Sequence, residues 1–136
     1  MTATVPAARQ GRQLCVFLDD RPGTLGRVCE RLGAASINIQ ALSLAEGSGH
    51  GYVRMVVDQP DAAVARLKEA GDLFFEKDVL VLELENRPGA LGAAAARLGA
   101  AGVNIEYAYC AAGSGVRSGM VVLRVDDLAN ALKALA

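Results

Sequence analysis

Two seven-residue stretches hold the groups best suited to ligand chemistry, Asp20-Arg21-Pro22-Gly23-Thr24-Leu25-Gly26 and Asn86-Arg87-Pro88-Gly89-Ala90-Leu91-Gly92. Each follows an apolar run with strand-like alternation and opens a segment with helical spacing, so each reads as a strand-to-helix turn. Proline fixes φ at about −65° and suits an early helical position, while the glycine after it has no Cβ and lets another group approach the backbone. The first amides of a helix have no partner within it. Together with the positive end of the helix dipole they are worth about 0.3–1 kcal/mol to an anion at an exposed site. The expected chemistry is therefore recognition of a small carboxylate. For an amino-acid zwitterion, the amides near Gly23-Thr24-Leu25 or Gly89-Ala90-Leu91 supply carboxylate donors. Asp20, or the carbonyl of Asn38, Asn86 or Asn104, supplies an acceptor for the ammonium.

Other chemistries find less support in the sequence. It shows no nucleophile with a base, no paired-carboxylate motif and no metal-ligand spacing, and His50 stands alone in a Gly-rich turn, so neither an enzyme nor a cofactor is expected. Cys15, Cys29 and Cys110 are odd in number and lack paired spacing, which suits reduced, mostly buried thiols. The net charge is −1 with 14 scattered Lys and Arg, and three Phe, three Tyr and no Trp, which argues against nucleic acid. No run approaches the roughly 18 apolar residues of a membrane-spanning helix. Met1 to Gln13 lacks the apolar core of a signal peptide, so the expectation is a cytoplasmic protein with a loose lead-in.

The elements that position the turns follow from hydrophobic period. Leu14, Val16 and Leu18 alternate with Cys15, Phe17 and Asp19 as in a strand, and Leu25, Val28, Leu32 and Ala35 fall on one face of a helix over residues 24–35. Ile37 to Ala45 and Tyr52 to Val57 form a hairpin across Gly47-Ser48-Gly49-His50-Gly51. A second helix starts at Asp61 and stops at Gly71, before a short strand at Leu73-Phe74-Phe75.

The order then restarts. A shift of 66 residues superimposes Arg21-Pro22-Gly23 on Arg87-Pro88-Gly89, Arg31-Leu32-Gly33-Ala34-Ala35 on Arg97-Leu98-Gly99-Ala100-Ala101, and Asn38-Ile39 on Asn104-Ile105. It also places Gly47-Ser48-Gly49 on Gly113-Ser114-Gly115. After Gly115 the second copy carries about two extra residues, so Gly51 matches Gly119 and Asp58 matches Asp126. This is an internal duplication. The second copy's last helix, from about Asp127, reaches Ala136, so it lacks a fourth strand. Its sheet then has either three strands or an edge covered by another segment or chain. Phe17, on the sheet face away from the helices, calls for a covering partner.

On these motifs, with Ile37-Asn38-Ile39 and Val103-Asn104-Ile105, the chain resembles the ACT domain, a regulatory module of amino-acid metabolism, in tandem from Leu14 to Ala136. The resemblance implies an α+β fold of two ferredoxin-like βαββαβ units, each an antiparallel sheet with helices on one face. The expected domains are a flexible lead-in at 1–12, a first ACT domain at 13–77 and a second at 78–136. It also implies a non-catalytic regulatory protein that binds a free amino acid between ACT units, forms a homodimer and acts on a metabolic enzyme. The implied ligand residues are Asp20, Arg21, Pro22, Gly23, Thr24, Leu25, Asn38 and Ile39, with Asn86, Arg87, Gly89, Ala90, Leu91, Asn104 and Ile105. In serine-binding members the asparagine opening the turn and the one starting the second strand touch the ligand, positions held here by Asn86 and Asn104, and by Asp20 and Asn38. Leu18 and Leu84 stand where those members often carry a histidine. The residues alone leave other roles open: Asn38 and Asn104 also suit local backbone hydrogen bonding, and a structural partner subunit that binds nothing has the same pattern.

Overall fold

A computed structural model describes residues 7–46, 50–111 and 117–136; the two Gly-Ser-Gly turn sequences lie outside the described residues. The elements run β1 (Ala7–Asp19), α1 (Thr24–Ala34), β2 (Ile39–Glu46), β3 (His50–Val57), α2 (Pro60–Glu69), β4 (Phe74–Glu85), α3 (Ala90–Ala100), β5 (Ile105–Ala111), β6 (Ser118–Val125) and α4 (Leu128–Leu135). They form two compact units, Arg12–Lys77 and Met1–Gly11 with Asp78–Ala136.

In the unit Arg12–Lys77 the strands lie in the order β2, β3, β1, then residues 74–77 of β4. Antiparallel pairing sets Phe17 opposite Tyr52 and Leu44 opposite Val53, and the Phe17 amide donates to the Leu73 carbonyl at 2.9 Å. Leu14, Val16 and Leu18 project to one side, where they meet Val53, Met55 and Val57 from β3 and Val28, Leu32, Ala63 and Leu67 from the helices in one buried cluster. The alternation of β1 thus becomes the core. On the other side Phe17 packs against Tyr52 and Phe75, with ring centroids 6.3 and 5.7 Å away. Arg12 donates to Asp61 at 2.7 Å and to Glu76 at 2.6 Å, tying the start of α2 to β4; these hydrogen bonds hold its pKa above the ordinary arginine value.

The second unit repeats this plan, with Leu80, Leu82, Leu84, Val121, Leu123 and Val125 packed against Ala94, Leu98, Ala131 and Leu135. Its fourth strand comes from the start of the chain. β1 begins at Ala7, seven residues before the expected Leu14, so the lead-in assigned to residues 1–12 is strand from Ala7 onward. Residues 7–11 of β1 lie beside β4, and Ala8 packs against this unit's core. The physical reason is the sheet edge: β4 pairs with β6 on one side only, and the strand on its other side satisfies the remaining backbone groups. Within this unit the strand beside β4 is therefore a segment from before the first repeat.

Three glycine positions are fixed by this geometry. A Cβ on Gly11 would stand 2.6 Å from Cγ2 of buried Val81, a stiff β-branched side chain that cannot swing aside. Gly11→Ala is expected to lower stability by about 1–3 kcal/mol through overpacking, read by urea unfolding; an unchanged midpoint would show that residues 7–11 do not dock there. Gly23 and Gly89 have φ of 91° and 86°, the left-handed region, with nothing within 4 Å of an added Cβ. Gly23→Ala should therefore cost about 1–2 kcal/mol from backbone strain. Gly33→Ala, inside α1 with equally open space, should instead add about 0.5–1 kcal/mol. Equal effects at the two positions would contradict the conformational account.

Candidate functional site

The turn after β1 is built by its own backbone. The Arg21 amide and the Thr24 hydroxyl both donate to the Asp19 carbonyl at 2.9 Å, and the hydroxyl also reaches the Arg21 carbonyl at 3.2 Å. Thr24 thus closes the turn. Arg21 lies 3.5 Å from the Asp19 carboxylate, while Asp20 is exposed. Pro22 does not occupy a helical position: Gly23 is the N-cap and α1 starts one residue later. The left-handed φ of Gly23 turns the chain between them, so glycine is needed there for conformation, since an added Cβ would meet no neighbour.

Neither α1 nor α3 has a side-chain cap, and neither has an acidic residue in its first turn. The other two helices differ, α2 with Asp61 in its first turn and α4 with the Asp127 carboxylate accepting from the Asn130 amide. The first helical hydrogen bond of α1 runs from Arg27 to Gly23 at 3.0 Å. The amides of Thr24, Leu25 and Gly26 therefore have no acceptor inside the helix and carry the positive end of its dipole. In the second turn the Ala90 amide already donates to Arg87 at 3.3 Å, and the Asn86 amide to Arg117 at 2.8 Å. Arg87 pairs with Glu85 at 2.5 Å.

Asp20, Arg21, Gly23, Thr24 and Leu25 line one wall of a hollow of about 380 Å³, with Glu46 and Gly51 from the β2 and β3 ends opposite. That volume lies within the range of small-ligand sites. Leu25 also packs on the core, whereas Leu91 is 47% exposed and Ala90 is buried.

Asn38 and Ile39 are elsewhere. β2 is eight residues long, with Ile39 at the end level with Val57 and Glu46 at the end level with Gly51. The turn, beside His50, is at the Glu46 end. Asn38 is thus about 20 Å from the hollow at roughly 3.3 Å per residue. Its amide donates to the Asp58 carboxylate at 2.9 Å, and its carbonyl accepts from the Asp58 amide at 3.0 Å. Asn104 makes the same clasp with Asp126, at 2.9 and 3.2 Å, and Ile105 is level with Val125 as Ile39 is with Val57. Asp58 and Asp126 were absent from the sequence-based site set, although the repeat register aligns them and they follow the third strand of each copy. Among the described residues no group of three or more His, Cys, Asp or Glu side chains could hold a metal ion. Burial raises the Cys15 and Cys29 thiol pKa values, opposite to the activation of a nucleophile.

Two units of strand-helix-strand-strand-helix with a completing strand define the ferredoxin-like α+β class. A family model described as an ACT domain pair matches residues 10–135. The chain belongs to the ACT-domain family, whose members are regulatory domains. Among solved structures, protein BT0572 from Bacteroides thetaiotaomicron is similar at 34% identity, with a TM-score of 0.86, over 94% of this chain and 88% of that one. The regulatory subunit of aspartate kinase from Thermus thermophilus shares the fold at 17% identity and TM-score 0.72, over 99% and 97% of the two chains. Its counterpart from Thermus flavus does so at 16% and 0.64, over the same shares. No curated protein matches the chain.

Removing either aspartate should loosen the clasp. Asp58→Ala and Asp126→Ala are each expected to lower stability by about 0.5–2 kcal/mol, the cost of a charge-assisted hydrogen bond to backbone. Denaturant titration checks this, and a neutral effect in both would show that the carboxylates do not organise the helix-to-strand passage.

Proposed function

We propose that this ACT-domain pair is a non-catalytic sensor of a free amino acid, with the turn after β1 as the primary station for the ligand. One observation carries the reading: α1 begins on a glycine with no side-chain cap and opens onto a hollow that also presents two exposed carboxylates, Asp20 and Glu46. The amides of Thr24, Leu25 and Gly26 suit the carboxylate of a zwitterion and the two acids suit its ammonium. Asn38 and Asn104 lie at the other end of their strands, so a ligand that touches both a turn and an asparagine must be shared between ACT units. A homodimer supplies such pairs. The turn of the second unit, from Asn86 to Leu91, is the lesser station because its Ala90 amide is already engaged.

The sensor is taken to act on a separate metabolic enzyme. Aspartate kinase regulatory subunits share the fold, which makes control of an amino-acid enzyme the nearest model for its role. Free Cys15, Cys29 and Cys110 suit a reducing, cytoplasmic setting. No helix among the described residues is long and apolar enough to cross a membrane.

Thermal unfolding in the presence of each of the twenty amino acids tests the reading. At about ten times Kd, a bound ligand stabilises the folded state by about 1.4 kcal/mol, which raises Tm by roughly 3–8 °C. Asp20→Asn should reduce that shift with the ligand-free Tm unchanged. No shift with any amino acid at millimolar concentration would favour an oligomerising subunit without a ligand.

A further inference from the structure

We propose that the first unit carries a second site, beside the turn hollow, that binds a small oxyanion, a phosphate or carboxylate group, through Arg27 and Arg31. A hollow of about 650 Å³ lies between α1, the Asp19 to Thr24 turn and the segment Ala70 to Leu73, and Arg21, Arg27, Arg31 and His50 all line it. Arg21 is paired with Asp19, and Arg31 donates to Asp72. These two pairs cancel. Arg27 has no hydrogen-bond or ion-pair partner among the described residues, so one positive charge at the hollow is unbalanced. The Arg31 Nε also has no partner but is closed to solvent, so the charge open to the hollow is that of exposed Arg27.

The fold itself does not require this arrangement, because the duplicated unit does without it. Position 27 corresponds to Ala93, and His50 to Ser118. Arg97, the counterpart of Arg31, instead donates to the Ala134 carbonyl at 2.8 Å. Two arginines four residues apart on one helix repel each other at a cost of a few tenths of a kcal/mol. The first unit keeps that repulsion where the second removes it. A planar guanidinium fixed by Asp72, with a second cation one turn away, matches the forked geometry of a phosphate or carboxylate. The site shares Arg21 and Thr24 with the turn hollow but does not depend on the amino-acid reading.

The test is thermal unfolding of the full chain at constant ionic strength with sodium phosphate, AMP, succinate or citrate, and sodium chloride as reference. The expected result is a saturable rise in Tm with the phosphate pair, the carboxylate pair or both. The pair that responds identifies the source of the oxyanion. Arg27→Ala, which reproduces the residue of the second unit at an exposed position, should weaken the apparent affinity at least fivefold with the ligand-free Tm unchanged. Arg27 lines this hollow and not the turn hollow, so the loss in Arg27→Ala separates the site from the amino-acid station. Equal responses in the native chain and Arg27→Ala would mark the rise as general salt stabilisation and overturn the site. So would the absence of a rise with every probe.

Discussion

The constraint on which the rest depends is the left-handed backbone at Gly23 and Gly89. Each residue joins a strand buried among core side chains to a helix covering the same core, across four residues. An L side chain there costs about 1–2 kcal/mol, so glycine is the residue that lets the chain turn without strain. The same conformation leaves the helix start without a side-chain cap. After Gly23 the amides of the helix's first turn are then available to an outside partner, because the residue that shapes the turn has nothing with which to satisfy them, whereas after Gly89 the Ala90 amide donates back to the Arg87 carbonyl.

Sequence periodicity was enough to place nearly all of the elements, because each core strand alternates and each helix has one apolar face. Leu14, Val16 and Leu18 enter the core as their spacing requires. The strand over residues 7–11 was not legible for a physical reason. Its sequence, Ala-Ala-Arg-Gln-Gly, has little hydrophobic alternation, and its partner is β4, some seventy residues later in the chain. Its strand character is imposed by the edge it completes. Pro22 was misplaced by a related effect: proline near a helix start suggests the first helical position, but here the glycine after it takes the cap.

The site was legible in part. Asp20, Arg21, Gly23, Thr24 and Leu25 line one hollow, without Pro22, whereas Asn38 and Ile39 are at the far end of β2, because a strand between two stations separates them by its own length. Recurrence of Asp58 and Asp126 in both copies has a structural cause, the clasp of their carboxylates on the backbone amides of residues 38 and 104, in which the asparagine side chains take no part. The two repeats also differ in chemistry while sharing a fold. Thr24, Arg27 and His50 give way to Ala90, Ala93 and Ser118, so polar and charged groups at the helix start are concentrated in the first unit.

The central claim is that the uncapped turn after β1 receives the carboxylate of a metabolite. The most direct measurement follows the backbone amide resonances of the isotope-labelled chain while each amino acid is added. The account predicts saturable shifts that cluster at residues 18–26 and 44–46, largest at the amides of Thr24, Leu25 and Gly26. Saturable shifts confined to other parts of the chain, with those three amides unmoved, would contradict it.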